Sequence, residues 1–116
     1  MRDSTFGYWC VRMAGSNRVI GYVGVKRMTV RGSRVLNLVC RLGPDTWGRG
    51  LATEAVSAVV SSVASEMPTE TILGRVRPGN SASQNVARKA GLQRDTTLDD
   101  AGEDGLDWAF TNRKQP

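Results

Sequence analysis

The sequence predicts an α/β domain, with a mixed, mostly antiparallel sheet and flanking helices. Three observations carry this. From residue 5 to 42, apolar side chains recur with a period of two, broken by short turns containing Gly and Ser. From Trp47 to Glu66 the period becomes helical. A short strand, a second helix and a final strand then follow, which is the order expected of two packed layers.

Each element has its own signal. Thr5 to Met13 alternates, with Phe6, Tyr8, Cys10 and Arg12 on one face and Gly7, Trp9, Val11 and Met13 on the other, and Gly15-Ser16-Asn17 turns the chain. Val19 to Lys26 places Val19, Gly21, Val23 and Val25 on one face, and a turn around Gly32-Ser33 leads on. Val35 to Leu42 is nearly continuous in Val, Leu and Cys, as in a strand covered on both sides. In the helix, Leu51, Ala55, Val59 and Val63 recur every four residues, and Met67-Pro68 ends it. Thr71 to Arg77 is a short strand. Ser81 to Ala90 is a helix capped by Asn80 or Ser81 and stopped by Gly91. Leu106, Trp108 and Phe110 share one face of the last strand.

The 116 residues fit one domain, residues 1–116, with no repeat or linker. A hydrophobic fraction of 40% and a charged fraction of 23% are those of an ordinary globular core. Neither a signal peptide nor a membrane span is predicted, because Arg2, Asp3 and Arg12 break the start and the apolar run Val56 to Ala64 is short. Cys10 and Cys40 stand in no metal spacing, which suits a reducing, cytoplasmic setting with two core thiols. The sequence has no histidine, so Ser-His-Asp and Cys-His catalysis are excluded, and no metal is expected. Charge is uneven: residues 1–98 carry 14 Lys and Arg against 6 Asp and Glu, whereas residues 99–116 carry 2 against 5. The basic part suits an anionic partner, whether nucleic acid, an acidic surface or a phosphorylated cofactor, or is simply a solvated surface.

The densest chemical signal lies between Arg41 and Ala55, where a strand runs through Gly43, Gly48 and Gly50 into a long helix. Unpaired amides at such a junction, aided by the helix dipole, suit a phosphate or pyrophosphate, although a Gly-rich turn has the same composition. The string Trp47-Gly48-Arg49-Gly50-Leu51-Ala52-Thr53-Glu54-Ala55 resembles the acetyl-CoA signature of the GNAT superfamily of N-acetyltransferases, in its RimJ/RimL branch. Val76 to Leu92 resembles that family's strand-Asn-x-x-Ser-helix segment, and Gly21-Tyr22-Val23-Gly24 its preceding strand.

The resemblance implies acetyl-CoA as acetyl donor. It implies that the backbone of Cys40, Arg41 and Leu42 pairs with the pantetheine arm, an amide near Leu42 facing the thioester carbonyl as an oxyanion donor. Gly48, Arg49, Gly50, Leu51, Ala52 and Thr53 would hold the pyrophosphate. Asn80 would bond to the cofactor arm, and Ser83 would serve the departing thiolate, these two being the catalytic candidates. Both are also ordinary helix-cap residues. Glu54 reads as a dipole-complementing carboxylate and Cys40 as a small buried hydrophobe.

Departures from the family pattern are equally specific. Trp47 replaces an Arg or Gln, and Ala87 stands where many relatives carry a tyrosine acid. No general base is evident. An α-amine, with pKa about 7.7–8.0, needs one less than a lysine at about 10.4, so the expected acceptor is a peptide or protein α-amine. The run Asp99, Asp100, Glu103, Asp104, Asp107 reads as a solvated loop that could also supply a base. The family's first strand and two helices have no counterpart before residue 5, so the domain is expected to be N-terminally shortened, with an uncovered apolar face that favours a homodimer. A non-catalytic acetyl-CoA-binding module is the alternative. A basic nucleic-acid-binding domain is more remote, since no helix-turn-helix, zinc or aromatic RNP pattern supports it.

Overall fold

Short connections and alternating strands dictate a meander, and the chain forms one. A computed structural model describes residues 7–13, 15–43, 50–102 and 104–113. Strands β1 (Gly7–Arg12), β2 (Val19–Val30) and β3 (Ser33–Leu42) run antiparallel in sequence order. Helix α1 (Leu51–Glu66) crosses to β4 (Ile72–Val76), which lies parallel to β3. Helix α2 (Ser81–Lys89) leads to β5 (Gln93–Arg94), a 3-10 turn (Thr96–Leu98), β6 (Asp100–Gly102) and β7 (Gly105–Thr111). Among the described residues the sheet has seven strands, in the order β1-β2-β3-β4-β7-β5, with β6 paired to β7. This is the expected mixed, mostly antiparallel sheet with flanking helices.

Several boundaries move. The turn after β2 is Arg31-Gly32, not Gly32-Ser33, and both residues have positive φ (49° and 82°), the two-residue turn whose twist matches a hairpin. It lets β2 continue through Met28, Thr29 and Val30, four residues beyond Lys26. Helix α1 begins at Leu51, while Trp47 and the start of the first strand at Thr5 and Phe6 lie outside the described residues. The acidic run from Asp99 to Asp107, read as a solvated loop, contributes instead to β6 and the start of β7, and β5 and the 3-10 turn precede it.

One sheet face packs under both helices. Val56, Val59, Val60 and Val63 of α1 and Ala87 of α2 meet Val23, Val25, Leu36, Ile72, Val76 and Phe110. Four valines and four serines make α1 a poor helix by propensity, so this burial, worth roughly 1.5–3 kcal/mol per large side chain, holds it. Helix α2 ends as expected. Leu92 N–H reaches Ala87 C=O and Gly91 N–H reaches Arg88 C=O, with Gly91 at φ 97°.

The other face has a smaller core of Val30, Val35, Leu73, Leu98 and Ala109 beneath the 3-10 turn. Away from that core, over β1 and the adjoining parts of β2 and β3, the described residues leave it open. Tyr8 and Tyr22 meet edge to face there at 5.6 Å, with Cys10, Lys26 and Arg41 exposed beside them. The expected apolar patch is therefore a mixed surface. Full two-sided cover of β3 also fails: Val35, Leu36 and Asn37 are buried, but Cys40 and Arg41 are exposed. Both cysteines are exposed, correcting the expectation of two core thiols, because each lies where its strand runs out from under the packing layers.

Two carboxylates after α2, Asp95 and Asp99, anchor the fold. Asp95 is 1% exposed and accepts from Thr97 N–H (3.2 Å), Thr111 Oγ1 (3.0 Å) and Arg113 Nε (3.0 Å). Asp99 takes both Arg94 guanidinium nitrogens at 2.6 and 2.7 Å and the Ala109 amide at 2.8 Å, while Arg94 stacks on Trp108 at 4.4 Å. Burial alone raises the Asp95 pKa, but hydrogen bonds from Thr97, Arg113 and Thr111 and the Arg113 charge outweigh it, leaving it at about 2 against an ordinary 3.8. A depressed carboxylate pKa contributes stability that is complete above the unfolded value and vanishes as pH falls through the folded one. Asp95 therefore contributes about 2 kcal/mol above pH 5, lost between about pH 4 and pH 2. In urea melts at a series of pH values, Asp95→Asn should be less stable than wild type at pH 6, with the gap closing towards pH 2. A gap independent of pH would refute this role.

Candidate functional site

A parallel strand pair inside an antiparallel sheet is held by few rungs, and here the pairing stops early. Strands β3 and β4 pair only at Leu36↔Ile72 and Asn37↔Leu73. Beyond that, β3 continues through Leu38 to Leu42 on β2 alone, with Val23↔Cys40, Tyr22↔Arg41 and Gly21↔Leu42 as its partners. Backbone direction alternates along a strand. The Leu36 amide donates to Thr71 on the β4 side at 2.8 Å, so the N–H and C=O of Cys40 also point to that side, into the opening cleft. Arg41 turns its backbone to β2.

Gly21 secures that arrangement. A Cβ there would collide with the Arg41 carbonyl and approach Leu42 Cα to 2.8 Å, so only glycine lets β2 lie this close to Arg41 and Leu42. The resemblance of Gly21-Tyr22-Val23-Gly24 to a family strand thus has a steric cause.

Because β3 and β4 are parallel, their carboxyl ends lie at one end of the sheet, and α1 and α2 both begin there. Gly50 caps α1 at φ 75°, and a Cβ on it would meet nothing within 4 Å. Among the described residues the first intrahelical bond runs from Glu54 N–H to Gly50 C=O at 3.0 Å, so the amides of Leu51, Ala52 and Thr53 stand ahead of that ladder, in the first turn of the helix. First-turn amides at the positive end of a 16-residue helix suit an anion. Gly48 and Arg49, the other residues expected there, lie outside the described residues.

The second helix start is built differently. Asn80 Oδ1 accepts from Ser83 N–H at 3.0 Å, making Asn80 the cap of α2. This bond uses the Ser83 amide, not its hydroxyl. Gln84, which the sequence did not single out, is buried and donates from Nε2 to Pro78 C=O (2.7 Å) and Arg77 C=O (3.3 Å), pinning the turn between β4 and α2. Across from that turn, Arg77 pairs with Asp107 of β7 at 3.2 Å, which brings the acidic hairpin to the same end of the sheet.

Other candidates separate. Glu54 is exposed and lines a groove of about 420 Å³ between β1 and α1, with Trp9, Val11, Val23, Leu51 and Val59. No residue of β3 or β4 lines that groove, so it is distinct from the cleft. Desolvation by its neighbours raises the Cys40 thiol above its ordinary value, so near neutral pH it is a protonated thiol and a poor nucleophile. Asp99 and Asp107 are committed to Arg94 and Arg77. Glu103 lies outside the described residues. Among the described residues, no cluster of His, Cys, Asp or Glu could hold a metal ion, and no helix is long and apolar enough to cross a membrane.

Known proteins share this arrangement. The chain is 37% identical over 79 residues to an uncharacterized N-acetyltransferase from Schizosaccharomyces pombe, a match covering 68% of this chain and 41% of that protein. A protein from Bordetella pertussis assigned to the GNAT-family acetyltransferases superposes with a TM-score of 0.80 at 17% identity, covering 96% of this chain and 68% of the other. A GNAT superfamily phosphinothricin acetyltransferase from Sinorhizobium meliloti, solved with acetyl-CoA, superposes with a TM-score of 0.68 at 19% identity, over 91% and 59% of the two chains. The match thus spans about two fifths of the S. pombe relative's length. The sequence model of the acetyltransferase (GNAT) domain matches residues 1–93, and with the diverging β3–β4 pair and its two helix starts in place, the chain belongs to the GNAT acetyltransferase family.

Proposed function

We propose that this chain binds acetyl-CoA in the β3–β4 cleft and transfers the acetyl group to a primary amine by direct attack. The observation that carries the reading is the divergence of two parallel strands after Asn37 and Leu73, at the end of the sheet where the first amides of α1 stand. A thioester arm carrying amide groups can pair with the exposed side of β3 as an added strand. The amides of Leu51, Ala52 and Thr53 then receive phosphate oxygens. Bound acetyl-CoA supplies an activated acyl carbon with a thiolate leaving group.

The residues of the chain have limited but definable work. Cys40 and Leu42 align the arm through their backbones, with an amide near Leu42 as oxyanion donor. The amine nitrogen forms the C–N bond as the C–S bond breaks, its proton passing to water and the sulfur taking one in turn. Ser83, half-buried at the start of α2, donates that proton or orders the water that does; Asn80 fixes the turn that presents it. A protonated Cys40 thiol suits direct transfer over a covalent enzyme intermediate.

The acceptor of choice is a peptide or protein α-amine, as in the RimJ/RimL branch. Asp100 and Asp104, in the hairpin that carries the Arg77–Asp107 pair, support a cationic acceptor by attraction. A second reading, a non-catalytic acetyl-CoA-binding module, draws on the engagement of Asp99 and Asp107 in ion pairs, which leaves neither as an obvious base.

Calorimetry tests the cofactor site that both readings share, and turnover separates them. Wild type should bind acetyl-CoA saturably and in preference to ATP, and acetylation of a broad amine panel distinguishes enzyme from module. Gly50→Glu should abolish binding by placing a carboxylate among the α1 amides, whereas Gly50→Asn, which tolerates positive φ, should retain it. Full affinity in the Glu variant would remove the cradle assignment. Ser83→Ala should keep the acetyl-CoA Kd within about twofold and lower kcat by roughly 10²-fold. An unchanged kcat excludes Ser83 from the chemistry.

A further inference from the structure

The point at which β3 and β4 part is set by a side chain. Ladder geometry identifies the first missing rung. Leu36 N–H bonds to Thr71 C=O, and pairing continues to Asn37↔Leu73, so the next parallel rung would run from the Arg75 amide to the Leu38 carbonyl. That carbonyl instead accepts from Asn37 Nδ2 at 3.2 Å, and Asn37 Oδ1 accepts from Arg75 Nε at 3.2 Å. The carboxamide thus occupies the rung. It satisfies the β3 acceptor that β4 would have served and ties the Arg75 side chain across the gap.

We infer that Asn37 is a positioning residue for the acetyl-CoA arm, a wedge that ends the β3–β4 ladder and holds the cleft at arm width. Asn37 is only 5% exposed, and a buried carboxamide in a strand flanked by Leu36 and Leu38 is costly unless its donors and acceptor are used. Its partners lie on either side of the divergence, so the satisfaction of its polar atoms and the opening of the strands are one feature. The opposite sheet face is complementary: Leu38 Cδ1 would stand 3.8 Å from a Cβ on Gly74, filling the gap there with an apolar group. An apolar side chain of the same size at position 37 would leave the Leu38 carbonyl without this donor, and the Arg75 amide, which faces β3, would close on it. Closure by one rung narrows the entrance that a strand-like, amide-bearing arm needs.

The inference rests on the proposed acetyl-CoA site, and two readouts keep them separable. The first needs no ligand. By amide hydrogen exchange on the full chain, the Arg75 amide should exchange readily in wild type and become at least tenfold more protected in Asn37→Leu. Unchanged protection in a variant that melts cooperatively would overturn the wedge. The second readout is calorimetric. Asn37→Leu should weaken acetyl-CoA roughly tenfold, about the worth of one lost buried interaction, while adenosine 3′,5′-bisphosphate, which has phosphates but no arm, should bind as in wild type to within about twofold. Arg75→Met, at an exposed position that spares the fold, should give a smaller loss of the same kind. Equal loss of both ligands, or loss of neither, would show that Asn37 does not act on the arm. Failure of wild type to bind either ligand would refute the acetyl-CoA reading, with the exchange experiment still deciding the wedge.

Discussion

One parallel contact in an antiparallel sheet organises this molecule. Strands β3 and β4 can be parallel only if the chain crosses over between them, and that crossover is α1. The crossover places α1 over Val23, Val25 and Leu36, and that burial, rather than helix propensity, holds α1 in place. It also brings the starts of α1 and α2 to the same end of the sheet, where the polar backbone of the diverging strands is available. Cover for the core and geometry for the site come from the same topological requirement.

The two halves of the sheet are secured differently. On the β1–β2–β3 side, long antiparallel ladders and a tight Arg31-Gly32 hairpin carry the strands, and glycine at position 21 allows β2 to sit against Arg41 and Leu42. On the β4–β7–β5 side, strands are short and charge-assisted bonds supplement them. Asp95 and Asp99 each gather hydrogen bonds from an arginine and from neighbouring groups, and Arg77–Asp107 and Gln84 fix the turn that leads into α2. The ion pairs add to the buried apolar groups of this half, Ile72, Leu73, Leu92 and Phe110, because each carboxylate has its charge matched and its lone pairs occupied by donors.

This partition bears on the chemistry. The cleft runs between the two halves, so its width depends on how one half sits against the other, and few backbone rungs determine that. A side-chain device at Asn37 and Arg75 acts where a difference of one rung changes the opening most. The acidic hairpin, anchored through Arg77, puts negative charge near the same end while the rest of the chain is basic. Under the proposed function, the anionic cofactor and a cationic acceptor would approach through regions of opposite potential.

The sequence by itself determined the alternation of β1 to β3, the helical period of α1, the Asn80 cap and the Gly91 stop of α2, because each is a local pattern read over a few residues. The string around Gly50 and the Asn80-to-Ser83 segment were legible for the same reason, as motifs local in the chain. Where those motifs stand relative to one another was decided by the tertiary structure. The exposure of Cys10 and Cys40 depends on which sheet edges the helices leave bare. Asp99, read as a loop residue, and Asp95, which no local pattern marked, are ion-paired anchors because Arg94 and Arg113 are held in place once β5 and β7 pair. Asn37, one polar letter in the apolar run Val35 to Val39, had no local signature. Its partner Arg75 is 38 residues away, and only the parallel register of β3 and β4 brings the two side chains together.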